Sequence, residues 1–104
     1  MLITLFVEAF DKEKAIQFSS SFIELAEIHN IKPSIVEIED YWKIEDMYKV
    51  HLIAGESSEN RLPSFLNQIA SKWIELPDEL LVSKTMEDCV IHLESISMII
   101  IEFE

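Results

Sequence analysis

Gly55 is the only glycine in a chain of 104 residues, and that scarcity rules out any fold built on many tight, left-handed turns. Regular elements joined by few special turns are expected. With 49% hydrophobic residues, the chain can bury roughly 60–70% of the surface its unfolded form exposes, so one domain spanning 1–104 holds itself together without staples. The lone Cys89 agrees, because a disulfide framework needs pairs and a reducing compartment does not.

Hydrophobic periodicity sets the order of elements. Residues 2–9, "LITLFVEA", carry apolar side chains on both alternating faces, as a central strand does, with Ile3, Leu5 and Val7 toward the core. Asp11 is placed to cap a helix in which Ala15, Ile16, Ser19, Phe22, Ile23 and Ala26 recur at helical spacing up to His29. Asn30 and Pro33 end it.

"SIVEIEDYW" then reads as a half-buried strand, Val36 and Ile38 on one face and Ile35, Glu37 and Glu39 on the other. "MYKVHLIAG" follows, with Tyr48, Val50, Leu52 and Ala54 alternating against Lys49, His51 and Ile53, and the two strands form an antiparallel hairpin without a glycine turn. "ESSEN" offers caps for a second helix with an apolar stripe of Leu62, Phe65, Leu66, Ile69, Ala70, Trp73 and Ile74. Pro63 fits its first turn. "ELPDE" reads as a loop and "LLVSK" as a short strand. Thr85 and Asp88 precede Met86, Cys89, Val90, Leu93 and Ile96 at helical spacing; a short helix is preferred there, with a strand through "CVIHL" as the alternative. "SMIIIEFE" ends the chain as a strand with Ile99, Ile101 and Phe103 on one side.

This order is that of an α+β ferredoxin-like split βαβ sandwich: a mainly antiparallel sheet, two main helices on one face, and a short C-terminal helix and strand added. The other sheet face is expected to be partly open, lined by Leu2, Thr4, Glu37, Lys49 and His51.

Charge narrows the partners. Twenty Asp and Glu against eight Lys and Arg leave a formal net charge of −12, which repels nucleic acid backbones and anionic membranes. Neither apolar run reaches the roughly 20 residues of a membrane helix, and "MLITLFVEAFDKEK" lacks both the basic lead and the cleavage pattern of a leader, so a cytoplasmic location is expected.

Catalytic signatures are missing. The chain has three His, no glycine-rich phosphate loop, no "GxSxG", no "HExxH" and no paired "CxxC". Cys89 and His92 alone do not complete a zinc site, so no metal and no cofactor are expected. His51 could serve as a general base on the open face, but a partly exposed strand histidine without function is the preferred reading, and His29 suits the dipole at a helix end. The expectation is a binding protein, not an enzyme.

The most distinctive segment is "EIEDYWKIED", residues 37–46, where five carboxylates surround one lysine and a Tyr-Trp pair. The bland reading is a solvated strand and hairpin with Tyr41 and Trp42 tucked against the domain edge. The sharper reading is a docking surface, since Trp and Tyr anchor protein interfaces while surrounding charges set on-rate and partner choice. In size, acidity and α/β layout, with "EDYWKIED" as the nearest local likeness, the chain resembles the small acidic immunity proteins of bacterial polymorphic or contact-dependent toxin systems. That resemblance implies stoichiometric neutralisation of a basic, nuclease-type toxin. Glu37, Glu39, Asp40, Glu45 and Asp46 would pair with its Lys or Arg side chains, and Tyr41 and Trp42 would supply apolar contact. Two alternatives stand beside it: a phage-type inhibitor of a nucleic-acid-processing complex, and a ligand-binding module or homodimer that pairs through an open face or the hydrophobic edge of "SMIIIEFE".

Overall fold

The computed structural model describes residues 1–55 and 61–103. In chain order they form β1 (Leu2–Glu8), α1 (Lys12–Ile28), β2 (Ser34–Asp40), β3 (Met47–Ile53), α2 (Leu62–Ile69), β4 (Ile74–Leu76), β5 (Glu79–Ser83) and β6 (Ile96–Glu102). The strands make one sheet in the order β2-β3-β1-β6-β5-β4, antiparallel at every pairing. The architecture is α+β.

Alternation in β1 works as expected: Ile3, Leu5 and Val7 are fully buried. They meet Val50 and Leu52 of β3, Ile99 and Ile101 of β6, and Val82 of β5 in one hydrophobic cluster with Ala15, Phe22 and Ala26 of α1 and Phe65 and Ile69 of α2. Both helices therefore cover the same sheet face. Phe22 and Phe65 join them edge to face, with ring centroids 5.4 Å apart.

Both ends of α1 follow from local chemistry. Asp11 Oδ1 accepts the backbone N–H of Lys14 at 2.8 Å, satisfying a first-turn donor. At the other end Asn30 takes φ 60°, and the N–H groups of Asn30 and Ile31 return to the carbonyls of Glu27 and Ala26. This is a Schellman closure with asparagine in the left-handed position that glycine usually fills. Asn30→Val should cost about 1–2 kcal/mol, because a β-branched side chain is strained there, whereas Asn30→Gly should be neutral or stabilising. Urea unfolding of the two variants checks the order.

Five expectations are corrected. In β2 the register slips between Ile35 and Glu37, so Ile35 and Ile38 pack on the core while Val36 is 55% exposed. The simple alternation fails because a bulge inserts one residue. The apolar stripe of the second helix is also shorter than its spacing indicates. Ala70 turns extended at the end of α2, and the indole N–H of Trp73 folds back onto the Leu66 carbonyl at 2.9 Å. Ile74 then opens β4, so that the "ELPDE" loop is in fact half of a β4–β5 hairpin. The cap candidates of "ESSEN" lie outside the described residues; Arg61 precedes α2 without a side-chain cap.

No short helix forms over 85–95 either. Asp88 takes φ 57°, and the following backbone bonds to residues 69–71: Val90 N–H to Ser71 Oγ, His92 N–H to the Ile69 carbonyl, and an isolated bridge between Ala70 and Ile91. Long-range partners outcompete helical ones here. Finally, β6 is no edge strand, since it is paired with β1 on one side and β5 on the other. The hydrophobic edge expected of "SMIIIEFE" is closed, and the sheet edges are β2 and β4.

Candidate functional site

The sheet face away from the helices is uncovered, and register places Leu2, Thr4, Lys49, His51 and Glu37 on it as expected. His51 uses both ring nitrogens there: Nδ1 lies 3.3 Å from Thr4 Oγ1, and Nε2 lies 3.1 Å from Glu39 Oε1. Lys49 stands 3.8 Å from the same carboxylate. Chiefly the hydrogen bond from His51 holds the Glu39 carboxyl below its ordinary range, against an opposing effect of burial and with a lesser contribution from the Lys49 charge. Glu39 therefore satisfies cations of its own chain, and Glu37 stands opposite His51 beside it. Among the described residues no group of three or more His, Cys, Asp or Glu is arranged to hold a metal ion. No helix among them is long and apolar enough to cross a membrane.

A different surface forms at one end of the sheet, where the β1–α1 connection meets the β2–β3 turn. The backbone sews the two together: Ala9 N–H donates to the Asp46 carbonyl at 3.0 Å, and Tyr41 N–H donates to the Met47 carbonyl at 2.9 Å. Asp46 takes φ 56° to close the turn, doing with an acidic residue what this chain has no glycine to do. Tyr41 packs edge-on against Phe6 with centroids 5.3 Å apart, and Lys49 Nζ stands 5.4 Å from the Tyr41 ring. Tyr41 is thereby anchored. Trp42 is not, and it projects 84% exposed, with Lys43 Nζ 5.3 Å from its ring.

Trp42 lines a groove of about 470 Å³ together with Phe10, which is 85% exposed. Asp40, Glu45 and Asp46 line this groove together with Tyr41, Ile44 and Tyr48. Burial raises the Tyr48 phenol above its ordinary pKa, and the charges of Asp40, Asp11 and Asp46 push it the same way. The space is electrically negative.

A second groove of about 500 Å³ shares Phe10, Ile44, Glu45, Asp46 and Met47 with the first and continues to Ala9, Phe18, Lys14 and Glu8. Glu8 is engaged by Lys84, which reaches it from beyond β5, and chiefly that hydrogen bond lowers its pKa. A lowered carboxyl pKa stabilises the fold above the unfolded value of about 4.3 and ceases to do so as pH falls through the folded value. Lys84→Met should thus cost less than ~1 kcal/mol at neutral pH, since the pair is half exposed, and nothing once Glu8 is protonated in the fold. Denaturant midpoints of both proteins from pH 7 to pH ~3 check the convergence.

Comparison with protein-family models, curated proteins and solved structures finds no match. The site must be judged on its own geometry. Of the seven residues singled out by sequence, Asp40, Tyr41, Trp42, Glu45 and Asp46 line one groove, while Glu37 and Glu39 stand on the open sheet face. Phe10 and Ile44 were missed. A signal existed for Phe10: an apolar residue just before a helix cap ordinarily staples onto the first turn, here Ala15, yet Phe10 remains exposed.

Proposed function

We propose that this protein is a stoichiometric inhibitor that docks a basic partner protein on the Phe10–Trp42 groove, in the manner of an immunity protein masking a nuclease-type toxin. The observation that carries the reading is the pair of large aromatics, each more than four-fifths exposed, that line one groove together with Asp40, Glu45 and Asp46. Leaving two such rings in water is unfavourable for an isolated domain, and their burial by a partner is the gain that binding realises. The carboxylates steer a cationic surface toward them, so association is fast and falls with salt. Action is by occlusion, not catalysis. A phage-type inhibitor of a nucleic-acid-processing complex would use the same groove against a different basic target. The single unpaired Cys89 supports a cytoplasmic setting.

The sheet is read further as a ferredoxin-like core with an added β4–β5 hairpin. Support comes from the run β2-β3-β1-β6, which sets the first three strands and the last in the split βαβ order under two helices. Such a frame hosts many functions and does not choose among them. One observation favours a second reading, a homodimer packed sheet to sheet: Leu2, Ile53, Ile74 and Leu76 are all exposed on the uncovered side.

The deciding experiment is capture of the tagged protein with the product of its neighbouring gene from native extract at low salt, followed by a high-salt wash. One basic protein retained one to one, its toxicity lost in the complex, supports inhibition. A salt-resistant homodimer that retains no partner replaces it with the second reading.

A further inference from the structure

We infer that the groove beside Trp42 reads one arginine side chain of the partner, and that the adjoining groove takes a large apolar side chain from the same segment. The inference rests on the docking reading above and adds the chemistry of what is docked. The two grooves are neighbouring compartments of one trough, because Phe10, Ile44, Glu45, Asp46 and Met47 line both. Their contents differ. To the shared Glu45 and Asp46 the Trp42 compartment adds Asp40, Tyr41 and the indole, with no lysine or arginine in its lining. In the other compartment Lys14 offsets part of the acidity, Glu8 is occupied by Lys84, and Ala9 and Phe18 extend the apolar floor.

A guanidinium suits the first compartment better than an ammonium. It is planar, weakly hydrated and able to stack on an aromatic face while donating two parallel hydrogen bonds to a carboxylate. Both kinds of partner are present: an indole exposed in water, and carboxylates lining the same groove. The rings here already attract cations, with Lys43 over Trp42 at 5.3 Å and Lys49 over Tyr41 at 5.4 Å. Lys43 can cover only one face of the Trp42 ring. A lysine ammonium from the partner would gain the charge attraction but neither the stacking nor the fork geometry.

The test uses blocked amino acids and peptides as probes, followed by amide and indole proton–nitrogen NMR of the full chain. N-acetyl-arginine amide should saturably shift the Trp42 indole signal and the backbone of residues 40–48, with N-acetyl-lysine amide about 5-fold weaker or more. Among blocked peptides joining leucine to arginine through no, one or two glycines, at least one should bind about 10-fold tighter than arginine amide, because both compartments fill together. Trp42→Ala should weaken arginine amide by about 10-fold, with the remaining spectrum unchanged as the control for folding. Equal shifts from arginine and lysine, or shifts scattered over the acidic surface, overturn the inference. If a basic partner is captured and depends on Trp42 while arginine amide shows no preference, only this inference falls; if arginine amide binds as described and no basic partner exists, the docking reading falls instead.

Discussion

Trp42→Ala is expected to weaken the proposed complex with a basic partner by roughly 30- to 1000-fold, a loss of about 2–4 kcal/mol, chiefly through faster dissociation. Stability of the free protein should change by no more than about 0.5 kcal/mol, because the side chain is 84% exposed and gives up little packing when removed. Few substitutions separate binding from folding so cleanly. Surface plasmon resonance reads the off-rate, and a thermal melt reads the fold. The companion variant Asp40→Lys with Glu45→Lys should act on the other limb, slowing association and flattening its salt dependence while Trp42 still anchors the complex. A well-folded Trp42→Ala protein of undiminished affinity would remove this groove as the anchor.

The largest expected effect on stability lies in the core beneath the helices. Phe22→Ala should destabilise the protein by about 3–5 kcal/mol, because Phe22 is fully buried between α1 and α2 and its removal opens a cavity in addition to losing transfer energy. Domains of this size have only about 5–15 kcal/mol in total, so the variant is expected to be partly unfolded at body temperature. The edge-to-face pair with Phe65 contributes about 0.5–1.5 kcal/mol of that loss, and the double variant should fall short of additivity by a similar amount. Phe10→Ala, the same chemical change at an exposed site, should be near neutral. Guanidinium unfolding with unchanged slope measures all four proteins. A loss under ~1 kcal/mol for Phe22→Ala would contradict the docking of the two helices.

What could be read from residues alone was whatever local spacing encodes. The buried face of β1, the Asp11 cap, the stop at Asn30 and the alternation of β3 all depend on neighbours within one turn or one strand. The groove was half legible for the same reason: residues 40–46 are contiguous, and the turn between β2 and β3 gathers them. Phe10 is 30 residues or more away from them, and it joins their groove where the Ala9–Asp46 hydrogen bond links the two loops.

Pairing made the remaining choices. "ELPDE" became the turn of a hairpin because β5 found β6 and offered β4 an edge. Residues 88–92 left the helical pattern because the backbone at 69–71 offered them hydrogen bonds. The slip at Ile35–Glu37 turned Val36 outward, and β6 took an interior place between β1 and β5, which closed the edge its composition had promised. Periodicity determined by itself which face of most strands and of the first helix would be buried, and composition determined that the surface would be acidic. Which strand pairs with which, and which exposed aromatics line one groove, was decided only in the tertiary structure, because those choices rest on hydrogen bonds and contacts between residues far apart in the chain.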